Sequence, residues 1–266
     1  MISTHINKMR TKLSAGQLVL GAGITLSDPT VTEALAGSVD FVWIDLEHNA
    51  ITASAMLGHL IAARAGGAPS IVRVPSADVG WIKRVLDSGA EGIILPRAYS
   101  AREAADFVSS CRYPPLGTRG FGPRRPMQYG RLAQQEYLRQ ANRDVFVVVQ
   151  VETIELLAEI DDVLKLEGLD SLVLGPQDLS GSMKRLGDIT HPDVINAMKL
   201  VASKCKAAGK FIGAGLGANP GFAQVLVDCG IQWLQAGSDF EYMIQGCERT
   251  FDKIRENHER NEQRRT

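Results

Sequence analysis

The chain has no CxxC pair and only four widely spaced cysteines, Cys111, Cys205, Cys229 and Cys247. Neither a zinc ribbon nor a disulfide framework can be read from that spacing. Isolated thiols of this kind suit a reduced, structural set in a reducing compartment. No stretch approaches the roughly 18 apolar residues of a membrane span, and the opening MISTHINKMRTKLSAGQ has no uninterrupted apolar core of a secretory signal. The expectation is a cytoplasmic protein without a membrane partner. Charge of one sign is also missing: the formal net charge is −1, which supplies no general field for a phosphate backbone and argues against nucleic acid. Two nucleotide signatures fail. GAGIT (21–25) does not complete GxGxxG, and GLGANPG (215–221) has glycines but lacks the Lys-Ser/Thr ending of a P-loop. A small, locally bound ligand remains as the partner that composition allows.

What is present is a globular pattern, 45% apolar and 22% charged over 266 residues. Eight short runs rich in β-branched residues recur: LVLGAGI (18–24), FVWID (41–45), SIVRV (70–74), GIILP (92–96), FVVVQV (146–151), SLVLG (171–175), FIGAGL (211–216) and QWLQAG (232–237). Their near-continuous apolar character suggests strands covered on both faces, as in a parallel sheet. Amphipathic segments at 52–66, 79–90, 101–111 and 191–209 separate them, several ending at glycine. Eight strand–helix repeats in about 250 residues are the count of an α/β TIM (β/α)8 barrel, here in a single domain, whereas a doubly wound sheet usually has fewer strands. An N-terminal helix or extension (1–17) precedes the repeats. Residues 112–145, after the fourth barrel helix, are too long for an ordinary connection, and their Pro, Gly, Arg and aromatic content predicts an ordered lid or an oligomer contact. The end, FDKIRENHERNEQRRT, reads as a charged helix fading into a solvated tail (256–266).

In such a barrel the carboxyl ends of the strands converge on one mouth. The polar residues there are Asp45, Glu47 and His48 after strand two, Arg73 after strand three, Arg97 after strand four, Gln150 and Glu152 on strand five, and Gln177 with Asp178 after strand six. Glu152 and Asp178 follow successive strands and would repel each other unless a cation sits between them. A hard divalent ion is the simplest remedy. Mg²⁺ fits a pair of carboxylates that leaves positions for a 2-oxo acid, and zinc is disfavoured because no His or Cys adjoins them. Helix capping is the competing explanation for both acids. His48 beside Asp45 has the spacing of an imidazole kept basic by a carboxylate; His59, inside an amphipathic helix, reads as structural. Arg73 is a fixed cation suited to a carbonyl oxygen that gains charge. No lysine ends any of the eight strands, which argues against a Schiff-base aldolase.

The segments IDLEH (44–48), VRVP (72–75), IKRVLDSGAEGIILP (82–96), RYPPLGTRG (112–120), VQVET (149–153), GPQDLSGSM (175–183) and HPDV (191–194) together resemble the HpcH/HpaI family of metal-dependent, class II pyruvate aldolases. Within it they are similar to the 2-dehydro-3-deoxyglucarate and 4-hydroxy-2-oxoheptanedioate aldolases, over nearly the entire chain. The resemblance implies a carbon–carbon lyase that joins pyruvate to an aldehyde or splits 4-hydroxy-2-oxo acids, using Mg²⁺, Mn²⁺ or Co²⁺. It implies Glu152 and Asp178 as metal ligands, Arg73 as the group stabilising the enolate oxygen, and His48 with Asp45 as an acid–base dyad acting through a water. It further implies Gln150 beside the pyruvate, the backbone amides around Gln177 and Asp178 at its carboxylate, and Leu216 in the aldehyde pocket. A homo-oligomer, hexamer or trimer, with the last helix packed on a neighbour, is also implied. The chain departs from the family in Leu46 for glycine, in Gly21-Ala22-Gly23 where some relatives carry an aromatic, and in Arg97 for an apolar residue. The smaller strand-one groups enlarge the mouth; Arg97, like Arg119, could bind a distal carboxylate, and Arg97 could equally neutralise the acidic cluster. Citrate synthase-like or acyl-CoA lyase-like enolate chemistry is the alternative, and a non-catalytic ligand-binding barrel the weaker one.

Overall fold

The computed structural model describes residues 4–263, so the outermost residues of the N-terminal extension and of the charged tail lie outside the described residues. Eight strands form the barrel: β1 (Val19–Ile24), β2 (Phe41–Asp45), β3 (Ser70–Arg73), β4 (Gly92–Leu95), β5 (Phe146–Val151), β6 (Ser171–Leu174), β7 (Phe211–Leu216) and β8 (Trp233–Ser238). All pair in parallel in the closed order β1 to β8. The fold is a single-domain TIM-type α/β barrel, and each strand lies within one or two residues of its run in the sequence.

The helices are α1 (Thr4–Ser14), α2 (Pro29–Ala36), α3 (Ala53–Gly66), α4 (Val79–Asp87), α5 (Ala101–Cys111), α6 (Gln134–Asp144), α7 (Ile154–Ala158), α8 (Ile160–Leu164), α9 (Pro176–Ser182), α10 (Pro192–Ala207), α11 (Pro220–Asp228) and α12 (Asp239–Gln263). Several start just past the mouth on a side-chain cap: Asp28, Thr52, Asp78, Ser100 and Thr153 each accept a first-turn N–H. Among the described residues no helix is long and apolar enough to cross a membrane.

Side chains alternate across each strand, and the alternation sorts two cores. Val42, Ile44, Val72, Ile93, Leu95, Val147, Val149, Leu172, Leu174, Ile212 and Leu234 face outward into the layer between strands and helices. Phe41, Trp43, Ile71, Ile94, Phe146, Val148, Val173 and Trp233 face inward, and Ile6, Met9 and Leu13 of α1 join them from the N-terminal end as a plug. Few, large aromatics fill this interior. Phe41 meets Trp233 edge to face with centroids 5.5 Å apart. Their room comes from glycine on the neighbouring strands: a methyl at Gly21 would stand 2.5 Å from the Phe41 ring, and one at Gly213 would fall inside the Trp233 indole.

The long segment is not a lid. It leaves the C-terminal end of α5 and enters β5 at Phe146, so it lies at the end of the barrel opposite the mouth, and its last third is the helix α6. Arg112, buried, ties it down through the carbonyls of Asn142 and Val145 and the Asp170 carboxylate at 2.9 Å. Arg119, offered by the sequence as a ligand for a distal carboxylate, is buried too. Its guanidinium donates to Asp87 at 2.8 Å and stacks on Tyr113 at 4.5 Å, so it holds the segment and cannot reach a substrate.

Two glycine substitutions separate interior space from backbone freedom. Gly213→Ala overpacks the barrel against Trp233 and should cost about 1–3 kcal/mol or more in urea unfolding. Gly246→Ala, in an open turn of α12 with no atom within 4 Å of the added methyl, should gain about 0.5–1 kcal/mol. Equal effects would show that the aromatics are not packed as described.

Candidate active site

The inward parity that carries Phe41 and Trp43 continues to Asp45, and that of β3 carries Ile71 to Arg73; the two end residues are paired in register. Arg73 Nε donates to Asp45 Oδ1 at 2.8 Å, its Nη1 stands 3.0 Å from Glu47 Oε2, and the guanidinium lies 5.4 Å above the Trp43 indole. Burial opposes the charge of Arg73, but the hydrogen bond and charge of Asp45, then Glu47 and Glu152, outweigh it and hold the guanidinium above its ordinary pKa. The cation is fixed from below and from one side.

On β5 the inward positions after Val148 are Gln150 and Glu152, both buried. Glu152 Oε2 accepts from Gln150 Nε2 and Oε1 from the backbone N–H of Arg97, each at 2.6 Å. Burial pushes the Glu152 carboxyl up to about 7; the Arg97 N–H and Arg73 work against this, and the charges of Glu47 and Asp178 add to it. Gly175, at the start of α9, keeps the space clear: a methyl there would stand 2.5 Å from Glu152 Oε2. Gln150 Oε1 is buried with no hydrogen-bond partner among the described residues.

Asp178 sits in the first turn of α9, its side chain about half exposed, with Arg97 Nη1 at 3.8 Å. Arg97 adopts φ 47°, a left-handed backbone rare for a non-glycine residue. That turn aims its N–H at Glu152 while its guanidinium takes Tyr99 Oη at 2.8 Å. Arg97 does not line the mouth cavity. Of the two sequence readings for it, the position favours neutralising the acidic cluster.

Among the described residues no direct hydrogen bond joins His48 to Asp45. Asp45 is engaged by Arg73, by the Glu47 N–H at 3.1 Å and by Asn49 Nδ2 at 2.6 Å. His48 Nε2 instead stands 3.4 Å from Glu47 Oε2. The reason is the strand itself: inward parity commits Asp45 to Arg73, and the bend that follows brings Glu47 back toward both Arg73 and His48. Burial raises the Glu47 pKa against the pull of Arg73 and His48, with Asp45 and Asp178 adding to the rise. Sequence reasoning noted Glu47 but gave it no role.

A cavity of about 230 Å³ opens over this layer. His48, Arg73, Gln150, Gln177, Asp178 and Leu216 line it, whereas Asp45 and Glu152 lie behind its wall. Trp43, Gln235 and Ser238 also line it and were missed; the inward alternation from Phe41 and from Trp233 would have found the first two.

Among the described residues no three or more His, Cys, Asp and Glu groups gather in metal-holding geometry. An ion that takes two carboxylates and keeps waters needs only two. The donors fit a hard cation. Glu152 is disfavoured as a lone anion by burial and by like charge, and each of its oxygens keeps a lone pair beyond the bond it accepts. Gln150 Oε1 is an unsatisfied acceptor beside them, and the buried thiols of Cys111, Cys205 and Cys229 belong to the outer core.

The HpcH/HpaI aldolase/citrate lyase family matches residues 24–245. A hydroxypyruvate/pyruvate aldolase from Rhizorhabdus wittichii is 37% identical over 88% of this chain and 93% of its own length. A 5-keto-4-deoxy-D-glucarate aldolase from Salmonella arizonae is 31% identical over 94% and 97%. Among solved structures, an HpcH/HpaI aldolase/citrate lyase family protein from Burkholderia cenocepacia superposes with a TM-score of 0.86 at 30% identity, covering 94% of this chain and 99% of that one. Barrel, mouth and matched residues agree, and the chain belongs to the HpcH/HpaI aldolase/citrate lyase family.

Proposed function

We propose that this carbon–carbon lyase is a divalent-metal-dependent pyruvate aldolase, forming or cleaving 4-hydroxy-2-oxo acids from pyruvate and an aldehyde. The observation that carries the reading is a fixed guanidinium, Arg73, beside a buried carboxylate, Glu152, in a mouth where no lysine ends a strand. A Schiff-base route has no amine to use, so the charge that develops on the donor must be met electrostatically.

Glu152 and Asp178 would hold the ion, with Mg²⁺ favoured by the all-oxygen donor set and Mn²⁺ or Co²⁺ as substitutes. When bound, it supplies Lewis-acid polarisation of the donor's keto group. The first-turn N–H groups of α9, at Gln177 and Asp178, have no intrahelical partner and take the donor carboxylate. Gln150 borders the donor. Arg73 donates to the keto oxygen as it gains charge, and Asp45 with Glu47 keeps the guanidinium aimed there. His48, exposed at the rim, moves the proton between donor methyl, water and product hydroxyl, with Glu47 as its carboxylate partner. Leu216 borders the aldehyde.

We also propose a homo-oligomer, trimer or hexamer. The exposed face of α12 carries Phe240, Tyr242, Met243, Ile244, Phe251 and Ile254, and the β1–β8 flank exposes Leu18 and Leu20 beside an apolar cavity of about 410 Å³. An unpaired helix and an unpaired groove of this size suit a neighbouring copy.

Three outcomes test these assignments. Calorimetric titration with Mg²⁺ should show one saturable site per chain that Glu152→Gln and Asp178→Asn each abolish; retention in both would contradict the ligand pair. Arg73→Lys should lower kcat for pyruvate aldol addition by about 10²–10³, the usual loss of a charge-stabilising donor. The third is pH-dependent. The folded Glu152 carboxyl titrates near about 7 against an ordinary 4.5, so its stabilising contribution is complete below 4.5 and is lost as pH rises toward 7. Glu91, partly buried at the amino end of the barrel and likewise raised to about 7 by burial, acts in the same sense. The melting temperature of metal-free protein should fall from pH 5 to about 7.5, Mg²⁺ should restore it chiefly at the upper end, and Glu152→Gln should abolish the Mg²⁺ effect and reduce the fall to the share of Glu91.

A further inference from the structure

Two polar side chains of the mouth have no part in the chemistry above. In the closed order, β8 and β1 stand across the barrel from β4 and β5, which deliver Arg97 and Glu152. Gln235 of β8 faces inward, two residues beyond Trp233, and is paired in register with Gly215 of β7 and Gly21 of β1. Its carboxamide lies across the gap that glycines leave. A methyl at Gly23 would stand 2.9 Å from Gln235 Nε2 and 3.0 Å from Ser238 Oγ, and one at Gly215 would stand 3.3 Å from Gln235 Oε1. Trp43 closes the same corner, its indole 3.9 Å from that Gly215 position.

The polar atoms in this corner divide into one that is spent and two that are free. Gln235 Nε2 donates to the Gly237 carbonyl at 2.7 Å, which fixes the amide and turns Oε1 toward β7. Neither Gln235 Oε1 nor Ser238 Oγ is hydrogen-bonded to another described residue, and both side chains line the cavity. An acceptor on the β7 side of the carboxamide and a hydroxyl on its β1 side, with the Trp43 edge at the same corner, suit a substrate that carries hydroxyl groups. A substrate hydroxyl can donate to Oε1 or accept from Oγ–H. An alkyl group of the same size would desolvate both atoms and pair neither, and sites built to bond a hydroxyl reject such analogues strongly.

We propose that Gln235 and Ser238 form the acceptor subsite and select short hydroxylated aldehydes over alkyl aldehydes of equal size. The inference rests on the aldolase reading and deepens it, since it assigns the second substrate by chemical class. Gly23 and Gly215 belong to the device because a side chain at either position would push the carboxamide out of place.

The test measures kcat/KM with pyruvate as donor and either glycolaldehyde or propanal as acceptor, a pair that exchanges hydroxyl for methyl. The parent should favour glycolaldehyde by about tenfold or more. Gln235→Leu and Ser238→Ala should each lower that ratio at least about fivefold, through loss with glycolaldehyde rather than through a general fall. Ser238→Ala removes a single oxygen and keeps the experiment decisive if the larger change misfolds. A parent ratio near one, or a ratio unchanged in Ser238→Ala, overturns the subsite. Deuterium exchange into the pyruvate methyl by the parent, run alongside, separates the two failures: exchange with an unchanged ratio removes the subsite alone, and no exchange removes it together with the reading beneath it.

Discussion

Three carboxylates, Asp45, Glu47 and Glu152, act on one largely shielded guanidinium, Arg73, at the carboxyl end of the barrel, and a fourth, Asp178, stands at the rim beside Arg97. Arg73 is hydrogen-bonded to Asp45, stands 3.0 Å from Glu47 Oε2 as an ion pair, and feels Glu152 beyond them. Arg97 adds a backbone N–H to Glu152 and a distant charge to Asp178. That leaves Glu152 short of positive charge in a place where water cannot supply it, and its carboxyl rises to about 7. A barrel could have avoided the strain by placing an apolar residue there. Keeping the acid makes sense where a doubly charged partner is bound and its field is then directed at a substrate.

The interior packing makes this layer possible. Phe41, Trp43, Phe146 and Trp233 fill most of the barrel with few side chains, and glycines on β1 and β7 admit them. Up to Trp43 the interior is packed largely with apolar side chains. One residue step further along the inward face, the side chains turn polar together at Asp45, Arg73, Gln150 and Gln235, each from a different strand. The floor of the site is therefore built on strands, with the rim added by the segments that follow them, and the floor side chains are held by register as much as by hydrogen bonds. The helices follow with caps at the mouth and ordinary apolar faces toward the strands. His59, buried against Thr32 at 2.8 Å, belongs to that outer packing and has no chemical part.

Much of this was legible in the residues. The eight strands were visible because parallel strands buried on both faces read as unbroken apolar runs, and their polar ends then named the mouth. Spacing alone leaves direction open. Asp45 and His48 are three apart, which suits a helix, but Asp45 ends a strand whose inward parity gives it to Arg73. The lid failed on topology: a segment that links a helix to the next strand of a barrel lies at the amino end of the strands. Gln235 and Ser238 were passed over because each looked ordinary within its own run, and only closure of β8 on β1 sets them beside Gly23. The left-handed turn at Arg97 had no signal at all, since nothing in Pro96-Arg97-Ala98 requires it.

The account stands on the acid pair Glu152 and Asp178 making bound pyruvate acidic at its methyl carbon through a divalent ion. Proton NMR of pyruvate in D2O with the enzyme tests this before any aldehyde is known. The methyl signal should persist in chelator and decay once Mg²⁺ or Mn²⁺ is added. Decay at an equal rate in excess chelator, or none under either condition, would contradict it.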